Sequence, residues 1–337
     1  LVILALRVPE SHDETAPKQL DYPGALLATL GLAGLTYGFT QAPDLGFSNP
    51  TVFGTLIGGA LALISFVYVE AHSDHPMVPL RLFKSRTFSG ANLLTLFLYG
   101  ALSAFSIFQA LNLVQVQGYR QEIAGLTFLP FGILLAVMGR WAGGLVDRVG
   151  ARLPLIVGPT IVGVGFFLFA LPGLTAGESD YWTTYFPASL VFGFGMGVTV
   201  APLTTAVFAS APQDSAGVAS GINNAVARTA GVLAIAILGA LALFTFSGSL
   251  MARTNDLPLA PEVRAQLNDE ARKLADADPP AGLDPATAET IQQAVKLTYV
   301  DTFRLIALIC AAMAWISAGM AALLVEGRKK GVAAVVS

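Results

Sequence analysis

Residues 122–152 read EIAGLTFLPFGILLAVMGRWAGGLVDRVGAR. A mostly apolar run ends there in paired glycines, an aspartate and two arginines. About 20 apolar residues in helical rise match the ~30 Å hydrocarbon core of a bilayer, so 122–141 reads as a membrane-spanning helix. Working outward, seven more windows of this kind stand near 23–41, 50–70, 88–114, 153–172, 183–208, 216–246 and 302–325. Their apolar runs are too long for strands and do not alternate, so the chain is expected to be all-α and to cross the membrane eight times. Windows 88–114 and 216–246 are long enough to tilt or project.

Composition points the same way. Hydrophobic residues make up 54% of the 337 and charged residues only 12%, with a mean hydropathy of +0.66. Soluble domains are about 25% charged. A water-soluble enzyme and a disordered chain are thereby excluded. The net charge of −3 without a long basic run leaves no footprint for nucleic acid. The single cysteine, Cys310, rules out a disulfide framework and a cysteine-based metal site.

Lys and Arg set the expected orientation. Arg7 and Lys18, then Arg81, Lys84 and Arg86, then Arg140, Arg148 and Arg152, then Arg328, Lys329 and Lys330 all fall on one face, taken as cytoplasmic. The short loops 42–49, 115–121 and 173–182 hold only Arg120. The long segment 247–300 falls outside. Its stretch 261–277 has helical composition between prolines, and a short wet helical hairpin is expected there, with a mobile acidic loop as the alternative.

The turn Gly143-Gly144-Leu145-Val146-Asp147-Arg148-Val149-Gly150-Ala151-Arg152 is the most specific signal. Gly143 and Gly150 permit close packing and a tight turn. Asp147 is suited to a helix N-terminus, where the dipole favours an anion. Arg148 and Arg152 serve as cytoplasmic anchors. An ordinary glycine-rich turn with snorkelling arginines would read the same way.

This G-x-x-x-D-R-x-G-x-R pattern between two spans resembles the cytoplasmic-loop signature of the major facilitator superfamily, and the wider chain resembles its fourteen-span drug:proton antiporter branch, the EmrB/QacA type. Leu20-Asp21-Tyr22-Pro23-Gly24, Pro76-Met77-Val78-Pro79-Leu80 with Leu82-Phe83, and Gly118-Tyr119 with Ala124-Gly125-Leu126 and Leu129-Pro130 match further stretches of that branch. So do Ala216-Gly217-Val218-Ala219-Ser220-Gly221, Asn224, Arg228 and Gly231. The resemblance implies a major facilitator fold that exports amphipathic or cationic small molecules, with a proton gradient as energy source and no cofactor. It also implies that the N-terminal six-helix half is missing. Residues 1–22, which open on LVILAL, would be the end of its last helix and a cytoplasmic linker. Residues 23–87 would be a central accessory pair and loop, 88–325 the C-terminal six-helix bundle, and 326–337 a cytoplasmic tail. The expected partners are the missing half, the bilayer of the cell membrane and the substrate. The motif Gly143, Asp147, Arg148, Gly150 and Arg152 would act as a conformational latch.

Polar residues inside spans are costly and point to function by default. Arg228, with Asn224 one turn earlier and Asn223 beside it, reads either as a cavity-lining group or as a hydrogen-bonded knot between helices. Gln109 and Asn112 share a face with Phe105 and Phe108 beside them. This suits a pocket for bulky amphipathic molecules and equally suits core packing. The glycines of GFGMG (193–197) read as flexing points or as plain close packing. Asp301 and Arg304 stand at the expected outer entrance of the last span, as a local ion pair or with Asp301 exchanging protons. Glu70 reads as interfacial. His72-Ser73-Asp74-His75 lacks the ligands for a metal site, and no serine, histidine and aspartate set suggests catalysis. A specific metabolite or antibiotic exporter is the alternative within transport. A polytopic membrane enzyme or scaffold is the alternative outside it.

Overall fold

Asp21 starts the described fold. Its Oδ1 accepts a hydrogen bond from the Gly24 N–H at 2.8 Å and so caps α1, Tyr22–Leu45. This gives the D-x-x-G spacing a local reason, because a carboxylate satisfies an orphan donor of the first turn. The computed structural model describes residues 21–73, 76–212 and 215–327, without the side chains of Pro43, Arg140 and Asp147. The expected helix end at LVILAL, Arg7, Lys18, the Asp74-His75 part of the histidine motif and the basic tail lie outside the described residues.

Asn49 caps α2 (Pro50–His72), and a short 3-10 turn at Leu80–Lys84 leads into α3 (Arg86–Leu111), which continues as a π-helical turn through Val116. The short α4 (Gln121–Leu126) breaks before Pro130 and is followed by α5 (Leu129–Val149). Then come α6 (Arg152–Phe169), a 3-10 turn at Gly177–Trp182, α7 (Tyr185–Ala209), α8 (Ala216–Arg253), α9 (Pro261–Glu270) and α10 (Pro285–Leu324). Among the described residues there is no strand.

Seven described segments are long and apolar enough to cross a membrane: Pro50–His72, Arg86–Val116, Gln121–Gly139, Arg152–Phe169, Tyr185–Ala209, Ala216–Arg253 and Pro285–Leu324. The eighth expected window is α1, which is a helix but falls outside this set. Glycines and threonines dilute its hydropathy, and the packing uses the glycines. A Cβ on Gly34 would stand 2.9 Å from the Thr55 carbonyl oxygen, and one on Gly59 would stand 2.8 Å from that of Gly31. α1 is thus pressed against α2 backbone to backbone, with its other side against α8.

The remaining helices form an arc. α8 packs on α3, α3 on α10, α10 on α6, α6 on α7 and α7 on α5. The GFGMG run serves both neighbours of α7. A Cβ on Gly193 would be 3.0 Å from Phe131 Cα in α5, and one on Gly195 would be 2.7 Å from Val162 N in α6. Close packing therefore explains these glycines. Inside the arc Phe105 is ringed by Phe166 and Phe169 at 4.9 Å and by Phe303 at 5.8 Å between ring centroids.

The outer segment differs from expectation. Residues 247–300 are not one long loop, because α8 runs on to Arg253 and α10 begins at Pro285. The connection is 254–284. It is not merely wet either: α9 forms within the stretch of helical composition, and Leu267, Ala271 and Ala275 are buried against the same core as Leu250, Ile291 and Val295. At ~1.5 Å per residue, helices of 38 and 40 residues exceed the bilayer core by far. The polar outer half of α10 and the last two turns of α8 hid from a hydropathy reading.

Candidate functional site

The polar residues inside the spans sort into three levels. Nearest the end taken as cytoplasmic, Asn223 of α8 donates through Nδ2 to Asn92 Oδ1 at 3.2 Å and to Thr95 Oγ1 at 2.8 Å, both on α3. Asn92 in turn donates to the Phe88 carbonyl at 2.9 Å. Asn223 is therefore a knot between two helices. Asn92 and Thr95 were missed in the sequence. Their signal was available, since two polar residues three apart share a helix face in an apolar run.

One residue further along α8 the helix has turned ~100° and the surroundings reverse. Asn224 is exposed and donates only to the Ser220 carbonyl of its own helix at 3.1 Å. Arg228 is exposed on the same face and has no hydrogen-bond or ion-pair partner among the described residues. Gly217 and Gly221 continue this stripe with open space where a Cβ would stand. On α5, at the other end of the arc, Gly132, Gly139, Gly143 and Gly144 likewise face open space, and Ile133, Val137 and Trp141 are exposed. Both ends of the arc thus present small residues without a neighbour.

The third level lies near the outer end of α3, some 26 Å from Thr95 at 1.5 Å per residue. There Asn112 donates to the Tyr185 hydroxyl at 2.9 Å and accepts from Gln117 Nε2 at 3.4 Å. Gln117 also donates to the Gly173 carbonyl at 3.0 Å and accepts from the N–H and hydroxyl of Thr175. This network closes the outer end of the bundle. Gln109 is 2% exposed with Oε1 unpartnered, and Phe105 and Phe108 are buried in the aromatic core. The structure therefore does not gather Gln109, Asn112, Phe105 and Phe108 with Asn223, Asn224 and Arg228 around one cavity. In this conformation Asn224 and Arg228 are the members of the set on an open face.

At the turn after α5, Gly150 adopts φ +78°, and its N–H donates to the Val146 carbonyl at 2.8 Å. A side chain at that φ is strained, which is why glycine ends this helix. Arg152, at the start of α6, donates to the Ala322 carbonyl at 2.6 Å, and Arg86, at the start of α3, donates to the Leu323 carbonyl at 3.1 Å. Two guanidinium groups thus meet the last carbonyls of α10, where the helix dipole favours cations. Arg148 is exposed, and the Asp147 side chain lies outside the described residues.

Asp301 lies within α10, beside the last residue of α8. Its carboxylate bridges Arg253 at 2.5 Å and Arg304 at 3.4 Å. The expected i,i+3 pair is present, and the stronger contact to Arg253 across α8 was not visible in sequence. Nearby, Glu178 accepts from the backbone N–H of Arg120 at 3.0 Å and from its Nε at 3.2 Å. The N–H and, after it, the guanidinium hold this carboxyl below the usual carboxylate range. A lowered folded value means that the link is present above the ordinary carboxylate range and is lost as pH falls through the lowered value. The protection of the Arg120 amide against hydrogen exchange should accordingly fall only under strong acid, and in Glu178→Ala it should be low at every pH. An unchanged profile in that variant would contradict the link.

Among the described residues no group of His, Cys, Asp and Glu could hold a metal ion. The described residues form an all-α arc of lipid-length helices with arginines at one end and an open polar stripe on α8. The profile of the Major Facilitator Superfamily matches residues 24–236. The chain belongs to the Major Facilitator Superfamily. Its superfamily fold and family are those of membrane transporters, which are not enzymes.

Two relatives within the superfamily set the scale. The multidrug resistance protein Stp of Mycobacterium tuberculosis is 27% identical over 72% of this chain and 44% of its own length. The cephamycin export protein CmcT of Amycolatopsis lactamdurans is 34% identical over 65% of this chain and 45% of its own. The chain thus spans less than half the length of these two relatives. A crystal structure of a bacterial homolog to the human lysosomal transporter Spinster aligns with 88% of this chain and 66% of its own, at a TM-score of 0.50 and 19% identity, which concerns the fold alone.

Proposed function

We propose that this chain forms the C-terminal part of a fourteen-span carrier of the EmrB/QacA type. That carrier exports amphipathic or cationic small molecules across the cytoplasmic membrane, driven by inward proton flow. In this reading α1 and α2 are the accessory pair and eight helices cross the bilayer. An N-terminal six-helix half completes the transport path, and no cofactor is used. The carrier rocks its two halves around a midplane cavity. Asp147, with Arg148 and Arg152, stabilises one orientation and releases it in the other.

The observation that carries this reading is the open stripe Gly217, Gly221, Asn224 and Arg228. An isolated guanidinium a dozen residues into a span is too costly to face lipid. Its face therefore belongs to a water-filled path or to the other half. The resistance and export names of the relatives support efflux as the class of activity.

Arg228 also favours a second reading, export of one acidic metabolite or antibiotic, since an unpaired cation repels cationic cargo and attracts an anion. Competition in cells expressing the full-length carrier separates the two. Dyes and quaternary ammonium compounds that compete for efflux support the broad reading. Competition by a single acidic compound supports the narrow one. Export of neither class would contradict both.

A further inference from the structure

The cytoplasmic-side end of the α1–α2 hairpin contains two carboxyl groups that the transport reading does not use. Glu70 is 2% exposed although it stands in the last turn of α2. One oxygen, Oε2, accepts from the Val78 N–H at 3.0 Å, because the linker after α2 folds back over it. The other, Oε1, is buried without a partner, and so is Oδ2 of Asp21. Both point at the same spot. A Cβ on Gly24 would stand 2.7 Å from Asp21 Oδ2 and 3.0 Å from Glu70 Oε1. The glycine keeps that spot free.

Two bare carboxylate oxygens facing one buried point repel each other and have both lost water, which is an unstable arrangement. One hydrogen resolves it for both. We propose that Asp21 and Glu70 bind a single proton between them, carried on Glu70 Oε1 and donated to Asp21 Oδ2. The division follows from the surroundings. Asp21 caps α1, and its Oδ1 already accepts from the Gly24 N–H at 2.8 Å. Glu70 then keeps Oε2 as the acceptor for Val78, as a neutral acid can.

The charged groups around the pair do not supply a substitute. Arg81 and Lys84 of the following 3-10 turn are exposed and make no ion pair with it among the described residues, and the His72 ring meets the Tyr68 carbonyl instead. Lys18, Asp74 and His75 adjoin the site in sequence and lie outside the described residues. The site is separate from Asp301 and from the open stripe on α8. Its occupant is the proton, and its emptying would loosen the hold of α1 on the linker that enters the six-helix bundle.

The test is infrared difference spectroscopy on the purified full-length carrier across a pH series, with the proton as the probe. The wild type should show a protonated carboxyl band at neutral pH that is absent in Glu70→Gln and shifted in Asp21→Asn. Glu70→Gln should still fold, because its amide N–H can donate to Asp21 in place of the acid. Gly24→Ala, which puts a methyl group at the meeting point, should shift the band without removing either acid. A band identical in wild type and Glu70→Gln at every pH would overturn the proposal. So would a band that follows replacement of sodium by choline at fixed pH, since the occupant would then be a metal cation. Loss of transport activity alone leaves the spectra readable, so failure of this inference is distinguishable from failure of the export reading.

Discussion

Replacing Gly195 with valine is expected to remove the folded carrier from the membrane. A Cβ there would lie 2.7 Å from Val162 N and 2.9 Å from the Gly158 carbonyl oxygen, both backbone atoms of α6. Backbone cannot swing aside as a side chain can, so α6 and α7 must separate. Overpacking in cores costs about 1–3 kcal/mol and more where nothing yields. Here α7 is also held on its other side, by Gly193 against Phe131 and Gly197 against Met138. Movement toward α5 is therefore blocked as well. Gly58→Ala, on the open face of α2, is the control and should be tolerated. Detergent-resistant, monodisperse protein should be obtained for the control and not for Gly195→Val. Equal yields of both would show that α6 and α7 do not pack in this way.

The second large effect concerns activity. Arg228→Gln in the full-length carrier should lower export at least about tenfold while leaving the protein in the membrane. A hydrogen bond to a charged group contributes about 1.5–3 kcal/mol, and each 1.4 kcal/mol is a factor of ten. Folding should not suffer, because Arg228 is exposed and unpartnered within the described residues. Arg228→Lys should recover part of the export, since it keeps the charge and loses the planar fork. Asn223→Leu should behave in the opposite way. It breaks bonds to Asn92 and Thr95 and so should cost stability before it costs export. Should Arg228→Gln export normally, the open stripe would not face the transport path.

What was legible in the sequence was mostly what lipid dictates. Apolar runs long enough to cross a bilayer located α2, α3, α5, α6, α7, α8 and the inner part of α10, and α1 as a helix, because burial in lipid leaves no other backbone solution. The outer turns of α8 and α10 were not legible to hydropathy. They bury a stripe such as Ile291, Val295 and Tyr299 between charged residues, and that signal is a period and not an average. The site was legible only in part. Asn223 and Asn224 are neighbours in sequence and face opposite surroundings. No composition rule can decide which one points inward until α3 is in place. Phe105 and Phe108 are apolar whether they line a pocket or fill a core, and the structure puts them in the core. The burial of Glu70 was not legible, because it depends on the fold-back of Val78, a contact set by the turn after α2.

The central claim is that this chain belongs to a proton-driven export carrier whose path runs along the open face of α8. Flux in proteoliposomes tests it most directly: the purified full-length carrier, a fluorescent amphipathic probe without net charge and an imposed pH difference. The account predicts substrate movement against the proton flow, abolished by a protonophore and at least about tenfold slower in Arg228→Gln. Flux that ignores both the pH difference and the Arg228 substitution, or no flux of any amphipathic probe, would contradict it.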